Sequence, residues 1–101
     1  MISTIPLPST NGQFMYTDVD GTYSVTKNNA GSFSTTGSNP GWYPLGITNF
    51  SVGWNQMCFY GIYPTSMSSG SITINFKARN LTTSTDSGSR TASFHVLWVK
   101  E

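Results

Sequence analysis

Residues Thr91 to Glu101, TASFHVLWVKE, constrain the fold of this chain more than any other stretch. They have the composition of a β-strand. In an extended strand Phe94, Val96 and Trp98 point one way and His95, Leu97 and Val99 the other. The second half of the strand is therefore apolar on both faces. An antiparallel sheet in a small domain normally buries one face and wets the other. A strand apolar on both sides needs a second cover, and in a short chain the simplest cover is another copy of the chain.

The 101 residues predict one domain. Only 9% are charged, against roughly 25% in ordinary soluble proteins. Aromatic residues make up 14%, which argues for a packed domain rather than a polar linker. The polar surface is built from Ser, Thr, Asn and Gly, the residues of sheets and turns. Net charge is +1, with no basic stripe, so nucleic-acid binding has no electrostatic support. The single cysteine, Cys58, excludes an intrachain disulfide and a cysteine-rich zinc site. It reads as a small buried residue, since no neighbouring cation in the sequence would activate its thiol. The first residues lack a basic start, and Pro6 and Pro8 interrupt the apolar run, so no secretory signal is expected. No stretch reaches membrane-spanning length. The expected routes are retention in the producing cell or release by lysis.

Strand signals recur along the chain, and no segment keeps helical periodicity over ten residues. Residues 1–12 read as an extended lead-in or tether and 13–101 as the β domain. Phe14–Thr17 and Thr22–Lys27 flank Asp18-Val19-Asp20-Gly21, a hairpin signal. Ser32–Thr36 is a short strand, and Gly37–Gly41 a loop. Trp42–Val52 is a long extended segment bent near Pro44 and Gly46. Gly53–Asn55 is a turn. Gln56–Tyr63 is a strand with Met57, Phe59 and Tyr63 on one face and Cys58, Tyr60 and Ile62 on the other. Pro64–Gly70 is a loop. Ser71–Arg79 alternates cleanly, with Ile72, Ile74, Phe76 and Ala78 inward. Asn80–Arg90 is a polar loop before the last strand. About seven strands at this spacing predict an antiparallel β-sandwich of the jelly-roll or lectin-like kind. If strands 56–63 and 92–99 are neighbours, Cys58, Ile62, Leu97 and Val99 form an apolar outer patch. A closed homo-oligomer, a trimer by expectation, would bury it.

Catalytic chemistry finds little support. The only histidine, His95, lies in an apolar strand with no acid in a convincing position for a triad. The four acids are Asp18 and Asp20 in the expected hairpin turn, Asp86 in a loop and Glu101. None reads as a buried carboxyl with the raised pKa of a general acid. The Asp18-x-Asp20-Gly21 run resembles the start of a calcium loop, but the closing glutamate is missing. No enzyme activity, metal or cofactor is expected. Asn49-Phe50-Ser51 and Asn80-Leu81-Thr82 match the glycosylation sequon, a weak match in a chain this rich in Ser, Thr and Asn. Recognition chemistry is better represented. Exposed aromatic rings stack on the CH faces of sugars. Trp54 and Asn55 in their turn, Tyr60, Tyr63 and the Pro64–Gly70 loop are the candidates, with Arg79 as a hydrogen-bond donor.

Three segments, Gly41-Trp-Tyr-Pro-Leu-Gly-Ile47, Lys77-Ala-Arg-Asn-Leu-Thr-Thr-Ser84 and Phe94-His-Val-Leu-Trp-Val-Lys100, occur in that order. From Gly31 onward the chain resembles the C-terminal modules of tail-fibre and other virion structural proteins from phages and prophages of Gram-positive bacteria. The resemblance spans about seventy residues, and each motif alone is degenerate, as strand patterns are. It implies a lectin-like sandwich on the surface of a virion, made in the bacterial cytoplasm. It also implies non-enzymatic binding of a host cell-surface glycan as a homotrimer. The family fixes no catalytic or ligand residue, so none is carried over. No coiled coil, collagen-like repeat or shaft precedes the module, which leaves two expectations. The chain is the tip of a fibre, or it is a small capsid-decoration or head-fibre protein whose residues 1–12 dock on other virion proteins.

Overall fold

The computed structural model describes residues 13–51 and 53–101. The expected N-terminal tether, residues 1–12, lies outside them. Six strands form: β1 (Phe14–Tyr23), β2 (Ala30–Ser38), β3 (Trp42–Ser51), β4 (Met57–Ser68), β5 (Ser71–Asn80) and β6 (Arg90–Lys100). They make two three-stranded antiparallel sheets, ordered β1-β6-β3 and β2-β5-β4. Only β4 and β5 are joined as a hairpin within one sheet; every other connection crosses to the opposite sheet.

The two central strands supply the core because their sequences alternate most strictly. Ala92, Phe94, Val96 and Trp98 of β6 point inward and are fully buried. Ile72, Ile74, Phe76 and Ala78 of β5 meet them from the other sheet, buried to the same degree. Phe76 and Phe94 bridge the layers with ring centroids 4.9 Å apart. Tyr23 stands edge-on to Phe59 at 5.0 Å. The indole Nε1 of Trp98 donates to Thr17 Oγ1 at 2.7 Å, so its one polar atom is satisfied inside the core.

The two sides of the sandwich differ. On the β1/β2 side the sheets close tightly. A Cβ at Gly37 would sit 2.4 Å from Val19 Cγ2, so only glycine allows this approach. Thr35 Oγ1 donates across the gap to the Asp20 carbonyl at 2.6 Å. On the β3/β4 side both edge strands are irregular. β3 carries register shifts at Pro44/Gly46 and Ile47/Asn49; β4 carries them at Tyr60/Tyr63 and Pro64/Ser66.

Several expectations are overturned. The described residues form six strands, not seven, because Asp18-Val19-Asp20-Gly21 makes no hairpin. It runs straight through β1, paired with His95, Phe94, Ser93 and Ala92. Ladder pairing along ten residues outweighs a local Asp-Gly turn preference. Pro64–Ser68 is strand rather than loop, and the turn is confined to Ser69-Gly70. Proline is tolerated there because β4 is an edge strand with a register shift at Pro64. The strands with two apolar faces, β4 and β6, lie in opposite sheets. Cys58 and Ile62 therefore share no outer patch with Leu97 and Val99. Cys58 is exposed rather than buried, and Ile62 packs on the core. Asn80 opens no polar loop in solvent. Its fully buried amide donates to the carbonyls of Val25 at 3.1 Å and Thr85 at 3.0 Å, and its Oδ1 accepts from Thr82 N at 2.9 Å and Thr82 Oγ1 at 2.8 Å. All four of its hydrogen-bonding positions are used, so this sequon asparagine is closed to a glycan in the folded domain.

Candidate functional site

The outer face of the β2-β5-β4 sheet brings most of the recognition residues together, and one glycine does it. Tyr60 pairs with Lys77 and Tyr63 with Asn75, so β4 spends one residue more than β5 between the two pairs. Gly61 takes a φ of +59° there, the left-handed conformation of a bulge that opens on glycine. Strict alternation would place Tyr60 and Tyr63 on opposite faces. The bulge turns both rings outward and rotates Ile62 toward the core. Tyr60 is 42% exposed and Tyr63 51%, high for rings of their size.

β5 supplies the polar partners by its regular alternation. Lys77 Nζ lies 5.9 Å from the Tyr60 ring centroid, within cation–π range. Asn75 sits beside Tyr63 in register, and its amide makes no hydrogen bond among the described residues. Arg79 is exposed next to Cys58 on the same face. From β2, Ser32 pairs with Lys77. Ser32, Gly61, Tyr63, Asn75 and Lys77, with Phe33 and Phe76, line a hollow of about 80 Å³. An aromatic wall, an unengaged amide, a hydroxyl and a lysine cation surround it. That donor set fits a hydroxyl-rich ligand that is neutral or anionic. No carboxylate lies in the pairs that line it.

A larger hollow, about 270 Å³, opens between the β3 and β4 edges, lined by Ile47, Thr48, Asn49, Phe50 and Ile62. Its side-chain oxygens are already used: Thr48 Oγ1 donates to the His95 carbonyl at 3.3 Å and Asn49 Oδ1 accepts from Phe50 N at 2.8 Å, which leaves the Asn49 amide nitrogen as its free side-chain donor among the described residues. It offers apolar contact with little direction, and the smaller hollow is the better candidate.

Of the residues expected to bind, Tyr60, Tyr63 and Arg79 share this face, whereas Trp54 and Asn55 do not join them. Trp54 is half-buried against the core, not displayed on a turn. The Arg90 guanidinium lies 4.6 Å above its ring, and Arg90 Nε is held by the Ser87 carbonyl at 2.8 Å. Trp54 acts as a lid on the end of the sandwich. Asn55 is exposed beside it. Sequence reasoning missed Lys77, Asn75 and Ser32 as partners because cross-strand neighbours follow from register. The signal it underused was Gly61, an isolated glycine within a strand, which is a mark of a bulge.

His95 also departs from expectation. It lies half-exposed on the outer face of the other sheet, with Asp18 Oδ1 3.4 Å from its Nε2. The acid thought to be missing is directly across the ladder, in β1. Among the described residues no group of three His, Cys, Asp or Glu is placed to hold a metal ion, and no helix is long and apolar enough to cross a membrane. No protein-family model, curated protein or solved structure matches the chain.

Proposed function

We propose that this domain is a non-enzymatic attachment module of a phage virion that binds a host cell-surface glycan on the outer face of its β2-β5-β4 sheet. The observation that carries the reading is the Gly61 bulge, which puts Tyr60 and Tyr63 on one face beside Lys77, Asn75 and Arg79. Rings on a strand hold their geometry better than rings on a loop, so a sugar meets a preorganised surface. The aromatic faces take its CH patches and the amide and cation take its hydroxyls or carboxylate.

The winding also supports the reading. Three successive crossings between the sheets, one hairpin, and a return to the centre of the first sheet are compatible with the jelly-roll kind of sandwich, with six strands in place of eight. The segments on which the resemblance to virion proteins rests fall on structural devices of that winding. Trp42–Ile47 is the bulged edge strand, Asn80 the buried staple that ends β5, and Phe94–Lys100 the central strand.

A glycan-array screen followed by titration tests the proposal. Tyr63→Ala removes the most exposed ring of the face and should weaken binding about 10-fold, the scale of one aromatic contact, with the melting temperature unchanged. Trp54→Ala should do the reverse, lowering the melting temperature and sparing affinity. A domain that binds glycans equally well without Tyr63, or that binds none, refutes the assignment.

A further inference from the structure

An open sandwich has four free sheet edges, and three of them here are defended against pairing with another chain. β3 has Pro44 and two register shifts; β4 has Pro64 and two more. β1 is regular, but Asp18 and Asp20 stand exposed along it. Bulges, prolines and charges are the usual ways to blunt an edge. β2 has none of them. Its nine residues, AGSFSTTGS, pair with β5 without a shift and contain no proline and no charge. Among the described residues no backbone hydrogen bond outside the β5 ladder reaches β2.

From this contrast we propose that β2 pairs edge to edge with β2 of a second copy of this chain, antiparallel about a two-fold axis at Ser34. The strand is self-complementary in that register. Ser34 meets itself, Phe33 meets Thr35, Ser32 meets Thr36, Gly31 meets Gly37 and Ala30 meets Ser38. Every opposed pair is uncharged and at least one member is small, so neither repulsion nor bulk opposes the ladder. Side chains opposite each other fall on the same side of both sheets, as β-pairing requires. The Asp18 and Asp20 carboxylates on the neighbouring β1 edge keep the other layer from fusing in the same way. Sheet β2-β5-β4 then becomes one six-stranded sheet. The two Tyr63 rows lie on one side of it, five strand spacings or about 24 Å apart. The pairing stands whatever the hollow binds.

Charge at the axis gives a decisive test. Ser34 is exposed, so the chain folds with either sign there. Sedimentation of the wild-type chain at tens of micromolar should give twice the chain mass. Ser34→Glu and Ser34→Lys should each weaken the dimer at least 10-fold, because two like charges then face each other across the axis. Mixing the two variants should restore a heterodimer, since the axis sets Glu against Lys. Hydrogen exchange on the unmodified chain adds a readout free of substitutions. Amides of residues 31–37 should gain protection as concentration rises, while those of β3 and β4 should not. A monomeric wild-type chain, an oligomer indifferent to both Ser34 variants, failure of the mixture to reassociate, or protection that moves to another edge would each overturn the proposal. An oligomer broken by Leu97→Asp and untouched at Ser34 would place the interface on the outer face of the other sheet. Capture of a different protein's strand by a chain that stays monomeric alone would likewise replace the second copy as occupant.

Discussion

Two buried polar side chains show opposite solutions to one problem. Tyr23 is 2% exposed, and its hydroxyl has no hydrogen-bond partner among the described residues. Asn80 is buried as deeply and uses every donor and acceptor it has. A buried hydroxyl without a partner costs about 1–3 kcal/mol, whereas removing one end of a satisfied set strands the others. Tyr23→Phe should therefore leave stability unchanged or raise it by about 1 kcal/mol, and Asn80→Ala should lower it by at least about 2 kcal/mol, in urea titrations. Alkaline pH separates the Tyr23 effect further. Burial raises its pKa above the ordinary 10.0, and the Arg90 charge lowers it by a smaller amount. Above about pH 10 the unfolded chain loses this proton while the folded chain keeps it, so stability falls as pH rises. In Tyr23→Phe that alkaline loss should shrink. A phenylalanine variant clearly less stable at neutral pH would mean that the hydroxyl is bonded after all. The His95–Asp18 pair contributes little by comparison, because it is half-exposed and screened by solvent.

Among the elements, β6 and β5 are the two central strands, and both β1 and β3 pair with β6. Ala92, Phe94, Val96 and Trp98 are its inward row, and full burial of an apolar side chain as large as valine stabilises by about 1.5–3 kcal/mol relative to exposure. A chain ending at Phe94 loses Val96, Trp98 and the upper half of both ladders, and should show no cooperative transition by circular dichroism. A soluble, cooperatively folding product would mean that β6 is peripheral. This strand and β5 were legible in the sequence because strict alternation declares both the element and its buried side. β3 was legible for a different reason: Pro44 and Gly46 announced its bend, and the register shifts there. The rest depended on information that local pattern does not hold. Asp18-Val19-Asp20-Gly21 has turn chemistry, yet Val19 is core and Gly21 faces Thr35 and Phe76, so tertiary packing decided it. The faces of β4 were misassigned past Gly61 because an added residue inverts the parity of everything after it. The candidate face combines residues from three strands, and only register could bring them together. Tyr60, Tyr63 and Arg79 were nameable from composition and exposure; Lys77 and Asn75 became partners only through pairing.

For the molecule as a whole, the winding decides how the chain can fold. Residues 14–23 pair with 90–99, so the first and last strands close almost the whole described sequence into one loop. β2 pairs across to β5 and β3 across to β6, which leaves β4-β5, joined at Ser69-Gly70, as the only local ladder among the described residues. Non-local pairing must meet the entropy of loop closure before any burial rewards it, and all-β domains of this kind fold in milliseconds to seconds. The domain should accordingly refold in a single phase of about that duration, with no early burst. The β4-β5 hairpin is the place where structure can form first. Substitutions there that lower stability, such as Ile74→Val, should slow refolding, whereas Val96→Ala in β6 should mainly speed unfolding, because β6 joins late. Stopped-flow fluorescence from the three tryptophans can follow both. Refolding slowed by the β6 change and indifferent to the β5 change would place the nucleus in the β1-β6 closure instead. The chain would then organise its most distant strands before its nearest ones.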